Sequence, residues 1–135
     1  MFLFMKKSSA SLQIRTREAS VNELIQLTGL HLSSSSHEIG EIGGDGRPFK
    51  MTVGVFDSDN ESIDMNSSVQ NLLDRLSSLN FDDIRKKLPD VCITMSICVY
   101  FDTANVSLDI LPNHANFLGQ RNIVLNISCY PSCFE

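Results

Sequence analysis

Apolar and polar residues alternate in five stretches of the chain, with the two-residue period of a strand that buries one face. Leu12 and Ile14 alternate with Ser11, Gln13 and Arg15. Met51, Val53 and Val55 form a second apolar stripe, which ends in the acidic turn Asp57–Glu61. The longest stretch runs from Val91 to Phe101. Val91, Ile93, Met95, Ile97, Val99 and Phe101 lie on one side of it, and Cys92, Thr94, Ser96, Cys98 and Tyr100 on the other. After a turn at Asp102-Thr103-Ala104-Asn105, Val106, Leu108 and Ile110 share one face of a return strand. In the last stretch Ile123, Leu125, Ile127 and Cys129 alternate with Asn122, Asn126 and Ser128.

Between these stretches the period becomes helical. Ser20-Val21-Asn22-Glu23 has the form of a capping box, in which each side chain accepts from the other residue's amide. Val21, Leu24 and Ile25 give that helix an apolar stripe, and Gly29 is a natural stop. Val69, Leu72, Leu73, Leu76 and Leu79 mark the clearest amphipathic helix. A short helix follows from Asn80, with Asp82 and Asp83 in its first turn and Arg85, Lys86 and Lys87 in its last, an order that complements the helix dipole. Pro89 ends it. Pro112 sits where another helix can begin, with Phe117 and Leu118 on its buried side and Gly119 at its end.

Residues 31–48 hold four consecutive serines and the glycines Gly40, Gly43, Gly44 and Gly46, a composition that predicts a long loop and a candidate contact surface. The predicted order is β-α-β-α-α-β-β-α-β: an α+β fold with a mostly antiparallel five-stranded sheet and helices on one face. Its last six elements, with the paired helices counted as one, follow the β-α-β-β-α-β order of a ferredoxin-like unit.

With 135 residues the chain has the size of a single domain, 1–135, within which residues 1–9 are expected to be a frayed or accessory N-terminal segment, or an extension of the first strand. Met1-Phe2-Leu3-Phe4-Met5-Lys6-Lys7 runs apolar before basic, the reverse of a secretion signal. No apolar run approaches the roughly 20 residues that span a bilayer. A cytoplasmic protein is expected, with Cys92, Cys98, Cys129 and Cys133 reduced and acting as small apolar side chains. Cys92 and Cys98 lie on one predicted strand about 20 Å apart and cannot bridge each other.

The net charge of −5 is unevenly spread. Residues 1–17 carry Lys6, Lys7, Arg15 and Arg17 and no acid. Residues 38–64 carry Glu38, Glu41, Asp45, Asp57, Asp59, Glu61 and Asp64 against Arg47 and Lys50. This balance disfavours nucleic acid, whose phosphates need a concentrated basic face. It suits a basic protein partner reached by electrostatic steering, and equally a solvated surface that keeps the chain soluble.

The motifs that carry chemistry are incomplete. Gly46 is followed by Arg47 and Pro48 where a phosphate-binding loop needs Lys-Ser/Thr opening a helix. Asp57-x-Asp59-x-Glu61 begins like a calcium loop, but Ser62 stands where glycine is needed and Ser68 where glutamate is needed. Ser58-Asp59-Asn60 matches one β-lactamase triplet without the accompanying Ser-x-x-Lys nucleophile. His31, His37 and Glu38 share the long loop and His114 stands apart. Exposed loop histidines account for this better than a zinc site or a general base. There is no Gly-x-Ser-x-Gly elbow, and no cysteine has the local signature of a nucleophile. No catalytic residues, metal or cofactor are assigned.

Three stretches carry a family resemblance. Leu88-Pro89 leads into the strand ending Val99-Tyr100-Phe101, Ser107-Leu108-Asp109-Ile110-Leu111-Pro112 runs into a proline-started helix, and Leu125-Asn126-Ile127-Ser128-Cys129-Tyr130 closes the chain's last strand. These, with Leu27-Thr28-Gly29-Leu30, resemble a bacterial family of small domains of unknown function, the type numbered 4279, over roughly residues 10–130. The chain departs from that pattern in having no tryptophan, and in Ser128 where the family has an acid. The resemblance implies a small cytoplasmic bacterial protein of the kind thought to act as immunity partners of secreted toxins.

The expected function is therefore a non-catalytic protein-binding domain, an immunity-type inhibitor of a toxin with a basic surface. Its partner-binding residues would be Glu38, Glu41, Asp45, Asp57, Asp59, Glu61 and Asp64. The alternatives are a small-ligand or regulatory module with a pocket between sheet and helices, and a self-assembling protein pairing through an edge strand. The polar sheet face of Thr94, Ser96, Tyr100, Asn126 and Ser128 is a second possible docking surface.

Overall fold

The computed structural model describes residues 5–58, 64–101 and 108–131. The element order is β1 (Met5–Thr16), α1 (Val21–Thr28), β2 (Thr52–Asp57), α2 (Met65–Leu76), α3 (Phe81–Lys87), β3 (Cys92–Phe101), α4 (Pro112–Gln120) and β4 (Val124–Pro131). The fold is α+β, with four helices and one mixed, mostly antiparallel four-stranded sheet in the order β2-β1-β3-β4. Among the described residues no helix is long and apolar enough to cross a membrane.

The local signals at the helix ends act as expected. Both halves of the Ser20–Glu23 capping box form, and Gly29 closes α1 in the left-handed conformation at φ 71°. Asn80 caps α3 by accepting from the Asp83 amide, and Pro112 begins α4. Helix α2 starts four residues earlier than its leucine stripe, because Asp64 accepts from the Asn66 amide and sets its N-terminus at Met65.

The expected five-stranded sheet is corrected. The return strand over Val106, Leu108 and Ile110 is not formed among the described residues: Leu108 and Ile110 are unpaired and rest half-buried against the core, and Val106 lies outside the described part. Without that strand the sheet has four members instead of five, and the ferredoxin-like order of the C-terminal part is lost. The chain passes from β3 through α4 to β4 as one crossover, so β4 runs parallel to β3, as helical crossovers require. At the N-terminus the expected strand extension is formed from Met5, where residues belong to β1 and pair with β3 as far as Phe101.

β1 is antiparallel to both its neighbours, pairing Leu12 with Phe56 on one side and Met95 on the other. Its inward residues Ala10, Leu12 and Ile14 are buried with Ile93, Met95, Ile97 and Val99 of β3. Val69, Leu72, Leu73 and Leu76 of α2, with Phe81, Ile84 and Leu118, cover them in one core. Two serines cross this interface: the buried hydroxyls of Ser8 and Ser68 lie 3.0 Å apart and hydrogen-bond, tying α2 to β1.

In β2 the inward residues are Thr52, Gly54 and Phe56, and the valines Val53 and Val55 face the other side, half-buried. The alternation expected from Met51, Val53 and Val55 is present with its faces reversed. The reason is space. A Cβ on Gly54 would come within 3.0 Å of Leu32 Cδ1 and 3.1 Å of Leu24 Cδ1, so two leucines occupy the place of a side chain.

Asp90 joins the far end of β1 to the start of β3. Its carboxylate accepts from the Thr16 hydroxyl at 2.6 Å and the Arg17 amide at 2.7 Å. The Thr16 hydroxyl bond, then the Arg17 amide bond, hold the Asp90 pKa below its ordinary 3.8. A carboxyl held low in the folded state contributes its stability above the unfolded pKa and loses it as pH falls through the folded one. In acid titrations followed by thermal melting, Asp90→Asn is expected to lower Tm at neutral pH and to shrink the fall in Tm below about pH 4. Gly54→Val is expected to cost about 1–3 kcal/mol in urea unfolding, because overpacking must displace Leu24 and Leu32.

Candidate functional site

The segment between α1 and β2 is an ordered surface built on backbone hydrogen bonds. It runs along the outer edge of β2: the Ser33 amide donates to the Val55 carbonyl at 2.7 Å, and His37 and Val53 exchange bonds of 3.0 and 2.9 Å. The Val55 amide donates to the Ser36 hydroxyl, and the Ile39 amide to the Thr52 hydroxyl. The edge of β2 is thereby covered, which blocks pairing with another chain.

Beyond this edge the segment folds back as a small hairpin. Phe49 donates to the Glu41 carbonyl and Gly40 to the Phe49 carbonyl, both at 2.8 Å. Ile42 bridges Pro48, and Gly43 donates to the Arg47 carbonyl at 2.8 Å across the tip. Gly40 and Gly46 turn the chain at φ 85° and 80°, a region that favours glycine. The rings of His37 and Phe49 stack with centroids 3.6 Å apart and close the base. The glycine-rich composition thus folds as a stapled hairpin.

On that scaffold Ile39 is 44% and Ile42 63% exposed. These two residues were not singled out from the sequence. The signal was there in two isolated isoleucines set among glycines and acids, which no core periodicity explains.

The predicted acidic residues divide by what their carboxylates do. Glu38 is half-buried and accepts from the Val21 amide at 2.9 Å, capping the first turn of α1 and fastening the hairpin to that helix. Asp64 caps α2, accepting from the Asn66 amide and the Ser67 hydroxyl. Glu41 accepts from the Glu38 amide, and Asp45 from the Arg47 amide, both from exposed positions on the hairpin. Asp57 is exposed at the end of β2, on the sheet face away from the helices. Asp59 and Glu61 lie outside the described residues.

That helix-free face holds a shallow basin of about 520 Å³, lined by Ser9, Ser11, Gln13 and Arg15 of β1 with His37, Val55, Asp57, Ser96 and Cys98 among its other walls. Farther along the same face Tyr100 and Tyr130 stack at 5.5 Å, and the Lys7 ammonium sits 5.0 Å from the centre of the Tyr100 ring. Comparison with family models, curated proteins and solved structures finds no match for the chain. Function must be argued from these surfaces.

The remaining candidate groups do not converge. Among the described residues no three His, Cys, Asp or Glu side chains gather where they could hold a metal ion. Cys92 and Cys129 are exposed free thiols and Cys98 is half-buried; Cys133 lies outside the described residues. His31 is exposed and His37 is half-buried in its stack with Phe49.

His114 is a correction: on α4 it is buried along with Leu118, only 1% exposed. Its Nε2 lies 2.8 Å from Gln70 Oε1. The Gln70 amide donates to Asp74, which turns Oε1 toward the histidine and makes Nε2 the protonated nitrogen. Nδ1 is then a buried lone pair without a partner. Such an atom costs about 1–3 kcal/mol, and exposed Gln70 can bond to water if the ring is removed. His114→Leu is expected to raise the unfolding free energy by about 1 kcal/mol in urea titrations; a loss of stability would show that the imidazole contributes more than it costs.

Proposed function

We propose that the chain is a non-catalytic protein-binding domain of the immunity type, which docks on a bacterial toxin with a basic surface and neutralises it. The observation that carries this reading is the pair Ile39 and Ile42, exposed on a hydrogen-bonded hairpin and flanked by Glu41 and Asp45. An apolar centre with a charged rim is the anatomy of a protein interface. The hairpin is held before binding, so little conformational entropy remains to be lost on docking.

The division of labour among the carboxylates fits this reading. Glu38 and Asp64 are spent on helix N-termini and keep the surface in shape. Glu41, Asp45 and Asp57 face solvent, with Asp59 and Glu61 supplied from the sequence between Asp57 and Asp64. Their charge would draw in a basic partner, and the isoleucines would hold it. The resemblance to small bacterial domains thought to act as toxin immunity partners points the same way. Inhibition of this kind needs no chemistry, only occlusion of the toxin's active surface.

The test is to establish whether a toxin gene adjoins this chain's gene, and to use its product in a pull-down and activity assay; a neighbourhood without a toxin would count against the reading. Wild-type protein is expected to bind that toxin and suppress it. Ile42→Asp is expected to weaken binding by roughly tenfold or more through loss of an anchor, with dissociation accelerated. Reversing Glu41 and Asp45, or Asp59 and Glu61, to lysine is expected to slow association in stopped-flow mixing, with an effect that fades as salt is added. Association and dissociation rates indifferent to all these changes would reject the hairpin as the docking surface.

A further inference from the structure

The two edges of the sheet are treated differently. The edge of β2 is covered by residues 33–39, whereas no described segment pairs with the outer edge of β4. Val124–Pro131 carries no charged side chain, and its proline stands at the last position. Lysines, internal prolines and bulges are the usual guards of an open edge. Here β4 has none.

The chemistry of β4 is also symmetric about its middle. Its pairing with β3 places Val124, Asn126, Ser128 and Tyr130 on the outer face and Leu125, Ile127 and Cys129 on the inner one. Antiparallel pairing of two copies about a two-fold axis at Ile127 sets Val124 opposite Tyr130, Asn126 opposite Ser128, and Leu125 opposite Cys129. Each contact occurs twice. The outer face gains two Val–Tyr pairs, a favourable aromatic–β-branched combination, flanking two uncharged Asn–Ser pairs, and the inner face only apolar pairs. Val124 and Tyr130, the large apolar residues this pairing would cover, are 60% and 47% exposed.

From this self-complementarity we infer that β4 is a homodimer interface, joining two copies edge to edge into one continuous eight-stranded sheet with Ile127 on the two-fold axis. The occupant is a second copy because the match is between the strand and its own reverse. The net charge of −5 does not oppose it. The acids of residues 38–57 cluster at the β2 edge, so two copies joined at β4 hold their acidic edges about 34 Å apart, seven strand spacings. Salt screens charges beyond about 8 Å at physiological ionic strength. The inference is independent of toxin binding.

Two double substitutions on the exposed face test both the surface and the register by sedimentation velocity over a wide concentration range. Wild-type protein is expected to show a monomer–dimer equilibrium. Asn126→Lys with Ser128→Lys sets lysine against lysine twice and is expected to weaken self-association at least about tenfold. Asn126→Lys with Ser128→Glu sets lysine against glutamate twice and is expected to restore the dimer. Far-UV circular dichroism and thermal melting confirm that each variant is folded. A wild-type chain that stays monomeric, a dimer indifferent to the lysine pair, or a lysine–glutamate variant as weak as the lysine pair would overturn the proposal.

Discussion

β1 is the strand through which the rest of the sheet is organised. It lies between β2 and β3 and runs against both, so those two strands point the same way without touching. Its inward side chains, Ala10, Leu12 and Ile14, are sealed beneath α2. The burial of a Leu or Ile side chain stabilises a fold by about 1.5–3 kcal/mol, and here the contacts join segments more than fifty residues apart, as between Ser8 and Ser68. All four helices contribute to this one core. Among the described residues no helix packs on the opposite face, and β1 turns Ser9, Ser11, Gln13 and Arg15 that way. A sheet covered on one side leaves its function to the open face, its edges and its connections.

The connection before β2 solves an edge problem and creates a surface in one step. An open β2 edge would expose unpaired amides and carbonyls. Residues 33–39 satisfy them, and the same hydrogen bonds anchor the base of the hairpin that carries Ile39 and Ile42. Gly54 is part of this arrangement, because Leu32 reaches into the space its missing side chain leaves. Exposing two isoleucines on a mobile loop would invite nonspecific association. On a hydrogen-bonded hairpin each is held in a fixed place.

Local chemistry was legible in the sequence wherever a few neighbouring residues decide the outcome. The Ser20–Glu23 box, the Asn80 cap and Pro112 each mark a helix end within one turn. The alternation of β3 was equally clear, because ten residues repeat it. What could not be read is what depends on distant partners. Val106, Leu108 and Ile110 alternate as a strand would, but Leu108 and Ile110 rest against the core unpaired, since alternation records burial and not pairing. With no return strand among the described residues, α4 links β3 to β4, and β4 runs parallel to β3. In β2 the period was right and its sign wrong: the three residues of a stripe cannot say which side Leu24 and Leu32 will fill. Glu38 and Asp64 looked like docking charges because a carboxylate at a helix N-terminus is identified only by the helix it meets.

The positions of the surviving acids bear on how the proposed surfaces share one small sheet. Glu41, Asp45 and Asp57 belong to the β2 side, and β4 is the opposite edge. Charge acts over about a Debye length and governs how fast a partner arrives, whereas apolar contact acts at the surface itself and governs how long it stays. Separating a charged edge from a neutral one would let the chain use both without conflict. An acidic β4 would repel its own copy, and an uncharged β2 edge would lose its pull on a basic protein. Two copies joined through β4 would leave both hairpins facing outward, so self-association and capture of a partner would not compete for the same residues.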